Sequence, residues 1–113
     1  FFKKFISTSC SMNKITHENP EKLLIIETPQ NSNHVLLKLN RIPVNGLNLE
    51  YLNELNSQID LIENSKEIEG VILTSTLPNV FSAGLDINEM YKCDANRVRA
   101  FWSALQDFWY KLY

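Results

Sequence analysis

The spacing of apolar residues changes several times along the chain, and each change predicts an element. Leu23-Leu24-Ile25-Ile26-Glu27-Thr28 and His34-Val35-Leu36-Leu37-Lys38-Leu39-Asn40 are apolar runs of strand length. Turn-forming Pro29-Gln30-Asn31-Ser32-Asn33 separates them, so the pair predicts an antiparallel hairpin with a five-residue loop. Arg41-Ile42-Pro43-Val44-Asn45-Gly46 breaks the pattern, because proline lacks a ladder donor and Asn-Gly favours a tight turn. From Asn48 to about Asn64, Leu49, Leu52, Leu55, Ile59 and Ile62 recur at helical spacing, with Asn48 as N-cap and Glu50 in the first turn. The charged stretch Glu63 to Glu69 then leads into Gly70-Val71-Ile72-Leu73-Thr74-Ser75. That run is continuously apolar, as expected for a strand covered on both faces of a parallel sheet. Strand-helix-strand order predicts a right-handed parallel crossover. A last helix, capped by Asp94, has its apolar face at Val98, Phe101/Trp102, Leu105, Phe108/Trp109 and Leu112. The class is α/β.

Charge adds a boundary that hydropathy does not show. The 113 residues carry a formal net charge of −2, yet the first 17 contain Lys3, Lys4 and Lys14 and no acid. Beside those lysines stand Phe1, Phe2, Phe5, Ile6 and several hydroxyl residues, a composition that reads as the remnant of a mitochondrial transit peptide or as a basic leader. A secretory signal is disfavoured, since no apolar region of about 7 to 15 residues follows the lysines. Because the chain begins at Phe1 and stops at Tyr113 within or just after an aromatic helix, a truncated reading frame is expected, with residues 18–113 forming part of a larger domain. The remaining 8 basic and 13 acidic groups oppose binding to nucleic acid by phosphate neutralisation. No apolar run approaches the roughly 20 residues that span a bilayer. Cys10 and Cys93 match neither a disulfide framework nor a zinc site, and His17 and His34 lack metal-ligand spacing, so no metal is expected.

The chemistry concentrates in Val80-Phe-Ser-Ala-Gly-Leu-Asp-Ile-Asn-Glu-Met90, which joins the Gly70 strand to a short helix. Gly84 permits a positive φ or the close approach of a ligand. Asp86 is a fitting N-cap, and the Leu85 N–H then lies near the partial positive charge of a helix start. An ordinary strand-to-helix loop would have the same residues. Glu89 is a carboxylate near the turn, and its spacing favours a structural salt link or a solvated position. There is no phosphate-binding P-loop, no Gly-x-Ser-x-Gly elbow and no nucleophilic cysteine signature.

Val44-Asn45-Gly46-Leu47, the following helix, the Gly70 to Ser75 strand, Phe81-Ser82-Ala83-Gly84-Leu85-Asp86 and Glu89-Met90 resemble, in order and spacing, the enoyl-CoA hydratase/isomerase (crotonase) family. The resemblance covers residues 34 to 113, and its wording is nearest to the mitochondrial Δ3,Δ2-enoyl-CoA isomerase branch. It implies the N-terminal portion of a ClpP/crotonase-like spiral of β-β-α units. It also implies conversion of 3-cis- or 3-trans-enoyl-CoA to the 2-trans isomer in β-oxidation of unsaturated fatty acids. The alternatives are an enoyl-CoA hydratase of the same fold and a non-catalytic acyl-CoA-binding or interaction protein. By resemblance Leu85 gives one oxyanion-hole N–H, and Ala83, Gly84, Asp86 and Ile87 shape the CoA-binding turn. Arg41 either contacts the CoA nucleotide or is a solvated loop charge. The aromatic helix serves core and subunit packing or walls an acyl tunnel. No separate cofactor is implied, since coenzyme A is part of the fatty enoyl-CoA substrate. A homotrimer in the mitochondrial matrix is implied for the full-length protein. The family's second oxyanion donor and its general-base glutamate have no counterpart in residues 1–113, so this chain alone is expected to be inactive.

Overall fold

The strand and helix signals meet in one α/β layer pair. The structure, a computed structural model, describes residues 4–7, 22–92 and 94–113. Its elements are β1 (Lys4–Ser7), β2 (Leu24–Glu27), β3 (His34–Leu39), α1 (Leu49–Glu63), β4 (Gly70–Ser75), a short 3-10 helix (Ile87–Glu89) and α2 (Ala95–Leu112). The sheet order is β1-β4-β3-β2. The hairpin pairs Leu24 with Leu39 and Glu27 with Leu36, antiparallel, while β3 and β4 run parallel from His34↔Gly70 to Leu39↔Ser75.

Alternation along the strands decides which face is covered. Val35, Leu37 and Leu39 of β3 and Val71 and Leu73 of β4 join Leu24 in a buried cluster with residues of both α-helices. From α1 the cluster takes Tyr51, Leu52, Leu55, Ile59 and Ile62, and from α2 Phe101, Ala104, Leu105 and Phe108. Among the described residues β4 is covered on one face, because both helices contribute to this one cluster. Ile25, Leu36 and Ile72, on the opposite face, are only half-buried and stand outside it.

Caps fix both helices as the sequence predicts. The Asn48 side chain accepts from the Tyr51 N–H at 3.0 Å, and one Asp94 oxygen accepts from Asn96 and Arg97 N–H groups at 3.0 and 3.1 Å. Asn56, buried on α1, donates to the Ala104 carbonyl of α2 at 2.9 Å. Lys111 reaches Asp60 on α1 at 2.8 Å and Asp107 at 3.0 Å. On α2 each Phe-Trp pair divides: Phe101 and Phe108 are buried, whereas Trp102 and Trp109 are exposed.

Lys4–Ser7, which the charge pattern places in a leader, forms β1 in parallel pairing with β4. The rest of that leader, with Cys10 and His17, lies outside the described residues, as does Cys93. No helix among the described residues is long and apolar enough to cross a membrane.

Packing makes a direct prediction. Leu55 is fully buried and Leu61 on the same helix is exposed. Leu55→Ala should therefore lower the unfolding free energy by about 2–5 kcal/mol, and Leu61→Ala by no more than about 0.5 kcal/mol. Equilibrium urea denaturation measures both; similar losses would contradict this core.

Candidate functional site

Two loops meet at the end of the sheet where β3 and β4 finish. One runs from Arg41 into α1 and the other from β4 into the 3-10 helix, and they lie side by side as a short parallel ribbon. Leu47 N–H donates to the Gly84 carbonyl at 2.8 Å, and Asp86 N–H donates to the Leu47 carbonyl at 2.9 Å, forming a parallel bridge between Leu47 and Leu85. Ala83 N–H donates to the Val44 carbonyl at 2.8 Å, extending the contact toward the sheet.

This pattern leaves one donor over. Successive backbone groups alternate sides along an extended segment, so the two bonds made by Leu47 use the groups flanking Leu85 and direct its own N–H the other way. Gly84 N–H is taken by the Ser82 hydroxyl at 3.0 Å. Of the four consecutive N–H groups from Ala83 to Asp86, only that of Leu85 makes no hydrogen bond among the described residues. The Leu85 side chain packs against the core cluster, anchoring the residue from behind.

Gly84 has φ +84°, the conformation that its sequence position predicts. A Cβ placed there meets no atom within 4 Å, so the backbone angle, rather than crowding by described residues, is what excludes a side chain. Asp86 caps the 3-10 helix as expected, its side chain accepting from Asn88 N–H at 3.1 Å. Ala83 and Ile87 are exposed on the turn.

Arg41 is not a solvated loop charge. Its guanidinium donates to the Gly46 carbonyl and pairs with the Asp86 carboxylate at 3.3 Å, clamping the two loops from the side. Asp86 is held below the ordinary carboxylate range, mostly by the Asn88 N–H; burial opposes this, and Arg41 adds to it.

Glu89 is a structural salt link, and it is buried rather than solvated. Arg97 of α2 donates to both its oxygens, at 2.9 and 2.7 Å, while Leu49 N–H at the start of α1 donates to one of them at 3.1 Å. The same guanidinium holds Glu50 at 2.9 and 3.1 Å. These Arg97 bonds are the chief reason the Glu50 carboxyl lies below its ordinary range, and Glu50, then Glu89, push Arg97 up.

In the sequence Asn45 reads as a turn former within the family motif, with no side-chain role. It is fully buried at φ +51° and its side chain makes three hydrogen bonds. Ser75 and Ser82 stand in the predicted strand and the family motif, where the sequence assigns neither hydroxyl a role. The available signal was the Asn-Gly pair, in which the positive φ belongs to the asparagine. Among the described residues no group of three or more His, Cys, Asp or Glu is placed to hold a metal ion.

A family model described as enoyl-CoA hydratase/isomerase matches residues 30–113. The chain is 40% identical over 92 residues to mitochondrial enoyl-CoA delta isomerase 1 of Rattus norvegicus, an alignment covering 81% of this chain and 32% of that protein. It is 30% identical over 78 residues to mitochondrial methylglutaconyl-CoA hydratase of Mus musculus, covering 68% of this chain and 25% of that one. The crystal structure of human mitochondrial Δ3-Δ2-enoyl-CoA isomerase superposes with a TM-score of 0.74 at 39% identity, over 78% of this chain and 34% of the other. The chain thus spans about a third or less of the length of these relatives.

The depressed carboxyls give a pH dependence. Asp86 and Glu50 titrate lower when folded, so the stability they contribute is present above the unfolded value of about 4 and is lost as pH falls through the folded values. Urea midpoints should be level from about pH 7 to about pH 5 and drop below about pH 4. Asp86→Asn combined with Glu50→Gln should flatten that drop, and a parent chain whose midpoint rises on acidification would contradict the assignment.

Proposed function

The chain belongs to the enoyl-CoA hydratase/isomerase family, and from that premise we propose that it supplies one side of the active site of a Δ3,Δ2-enoyl-CoA isomerase. The substrate is a 3-cis- or 3-trans-enoyl-CoA and the product its 2-trans isomer, in the β-oxidation of unsaturated fatty acids in the mitochondrial matrix. A base removes a C2 proton, the electron pair delocalises onto the thioester oxygen, and the proton returns at C4 as the double bond moves from C3 to C2. Negative charge therefore builds on one oxygen.

The Leu85 N–H, unpaired among the described residues, is the observation that carries this reading. A donor already fixed in direction stabilises a developing oxyanion without reorganising, and removal of one such donor typically costs about 3–4 kcal/mol. Gly84, Asp86, Ala83 and Ile87 shape the CoA-binding turn beside it. Arg41 holds the turn through Gly46 and Asp86, and in this reading its guanidinium also contacts the CoA nucleotide. The reading assigns the base and the second N–H to parts of the enzyme other than the described residues, because the carboxylates at the turn are engaged, Asp86 by Arg41 and Asn88 and Glu89 by Arg97 and Leu49. An isomerase is favoured over a hydratase by the higher identity to the former, 40% against 30%. The full-length enzyme is a homotrimer in this reading.

Kinetics of the full-length enzyme test the turn. Gly84→Val should lower kcat/KM at least about tenfold, equivalent to about 1.4 kcal/mol, by rotating the Leu85 donor. Leu85→Ala should cost less, since it keeps the N–H and removes only packing. If titration of active sites shows that folded Gly84→Val enzyme keeps full specific activity, the oxyanion role is rejected. The 113-residue chain by itself should convert no 3-enoyl-CoA above a no-protein control, and measurable turnover would refute the division of the site.

A further inference from the structure

The Leu85 donor is useful only if its direction is held, and most of the side-chain hydrogen bonds that hold it converge on one residue. Asn45 lies at the centre of the two loops, fully buried. Its Oδ1 accepts from the Arg41 N–H at 2.7 Å, and its Nδ2 donates to the Ser75 hydroxyl at 2.8 Å and to the Phe81 carbonyl at 2.9 Å. Its own carbonyl accepts from the Ser82 hydroxyl at 2.7 Å, and that hydroxyl in turn takes the Gly84 N–H at 3.0 Å. A continuous path of hydrogen bonds thus runs from the end of β4, through Asn45, to the peptide preceding the Leu85 donor.

We propose that Asn45 is a positioning residue that sets the direction of the Leu85 N–H, by tying the end of β4 and the Phe81–Ser82 backbone to the loop that pairs with Leu85. The inference rests on the oxyanion reading above. The residue type follows from what the position demands. Asparagine tolerates φ +51° better than most side chains, and its amide offers an acceptor and two donors, all three of which are used here. Aspartate matches its shape but accepts only, so it would set a carboxylate oxygen against the Phe81 carbonyl. Glycine would keep the backbone angle and lose every side-chain bond.

The consequence is a particular division of kinetic effect. Asn45 touches no substrate in this reading, so loosening it should degrade the transition-state interaction more than ground-state binding. The test uses full-length enzyme with active sites titrated, so that losses of folding do not enter the rate. Asn45→Asp should lower kcat by about tenfold or more with KM held within about threefold, and Ser75→Ala, which removes one acceptor of the amide, should give a smaller loss of the same kind. A third variant replaces Leu85 by leucic acid, exchanging the N–H for an ester oxygen while retaining the side chain.

The ester variant separates the two hypotheses. If the ester leaves kcat unchanged, the oxyanion reading fails and the positioning role fails with it. If the ester lowers kcat, Asn45→Asp should add little on that background, because both changes act through one donor. An undiminished loss on the ester background, or an Asn45→Asp enzyme with normal kcat, would overturn the positioning role and leave the oxyanion reading intact. Should Asn45→Asp fail to fold, Ser75→Ala in the same double-variant cycle decides the matter by the same criteria.

Discussion

Two backbone hydrogen bonds, from Leu47 N–H to the Gly84 carbonyl and from Asp86 N–H to the Leu47 carbonyl, determine what this chain can offer a ligand. A parallel bridge uses alternate groups of the partner segment, so pairing Leu47 with the groups on either side of Leu85 necessarily faces the Leu85 N–H away from the ribbon. The candidate site is in this sense a by-product of strand pairing carried one turn beyond the sheet. Elsewhere in a fold an N–H left over would be a cost. At the rim of a layer of parallel strands it is a donor in a fixed direction.

Such a ribbon is too short to hold itself, and polar side chains fasten it on every side. Asn45 ties it to β4, Arg41 closes it across Gly46 and Asp86, and Glu89 joins its far end to both helices through Leu49 N–H and Arg97. Glu89 is buried while the Arg97 side chain is 42% exposed. The pair therefore combines a desolvated carboxylate, satisfied by backbone and guanidinium donors together, with a cation still able to reach solvent. Its main effect is to fix geometry: loss of Arg97 would remove a donor from each oxygen of a carboxylate that is buried, and the 3-10 helix would lose this tie to α2.

Much of the frame was legible because its causes are local. The period of Leu52, Leu55, Ile59 and Ile62 locates α1, Asn48 and Asp94 mark the helix starts, and the run from Gly70 to Ser75 matches β4 residue for residue. The positive φ at Gly84 was legible too, since the residue type itself signals it. What escaped was set by tertiary partners. A continuous apolar run does not reveal how much cover each face receives, and Ile72 remains half-buried among the described residues. Adjacent Phe and Trp on α2 are equivalent by spacing, and only packing buries one and exposes the other. Asn45 reads as a turn residue because its partners Ser75 and Phe81 lie 30 and 36 residues away. Arg41 finds Asp86 at a separation of 45 residues, which no local pattern encodes.

The central claim is that the Leu85 N–H is free in the protein and engaged by a thioester oxygen in the complex. Amide exchange and proton shifts, measured by NMR on labelled full-length enzyme with and without a saturating non-reactive acyl-CoA, report on that one proton. The account predicts rapid exchange at Leu85 in the free enzyme beside slow exchange at Leu47 and Asp86. It further predicts a downfield shift and new protection at Leu85 when the acyl-CoA binds. A Leu85 amide already protected in the free enzyme, or one unmoved when the acyl-CoA shifts its neighbours, would contradict it.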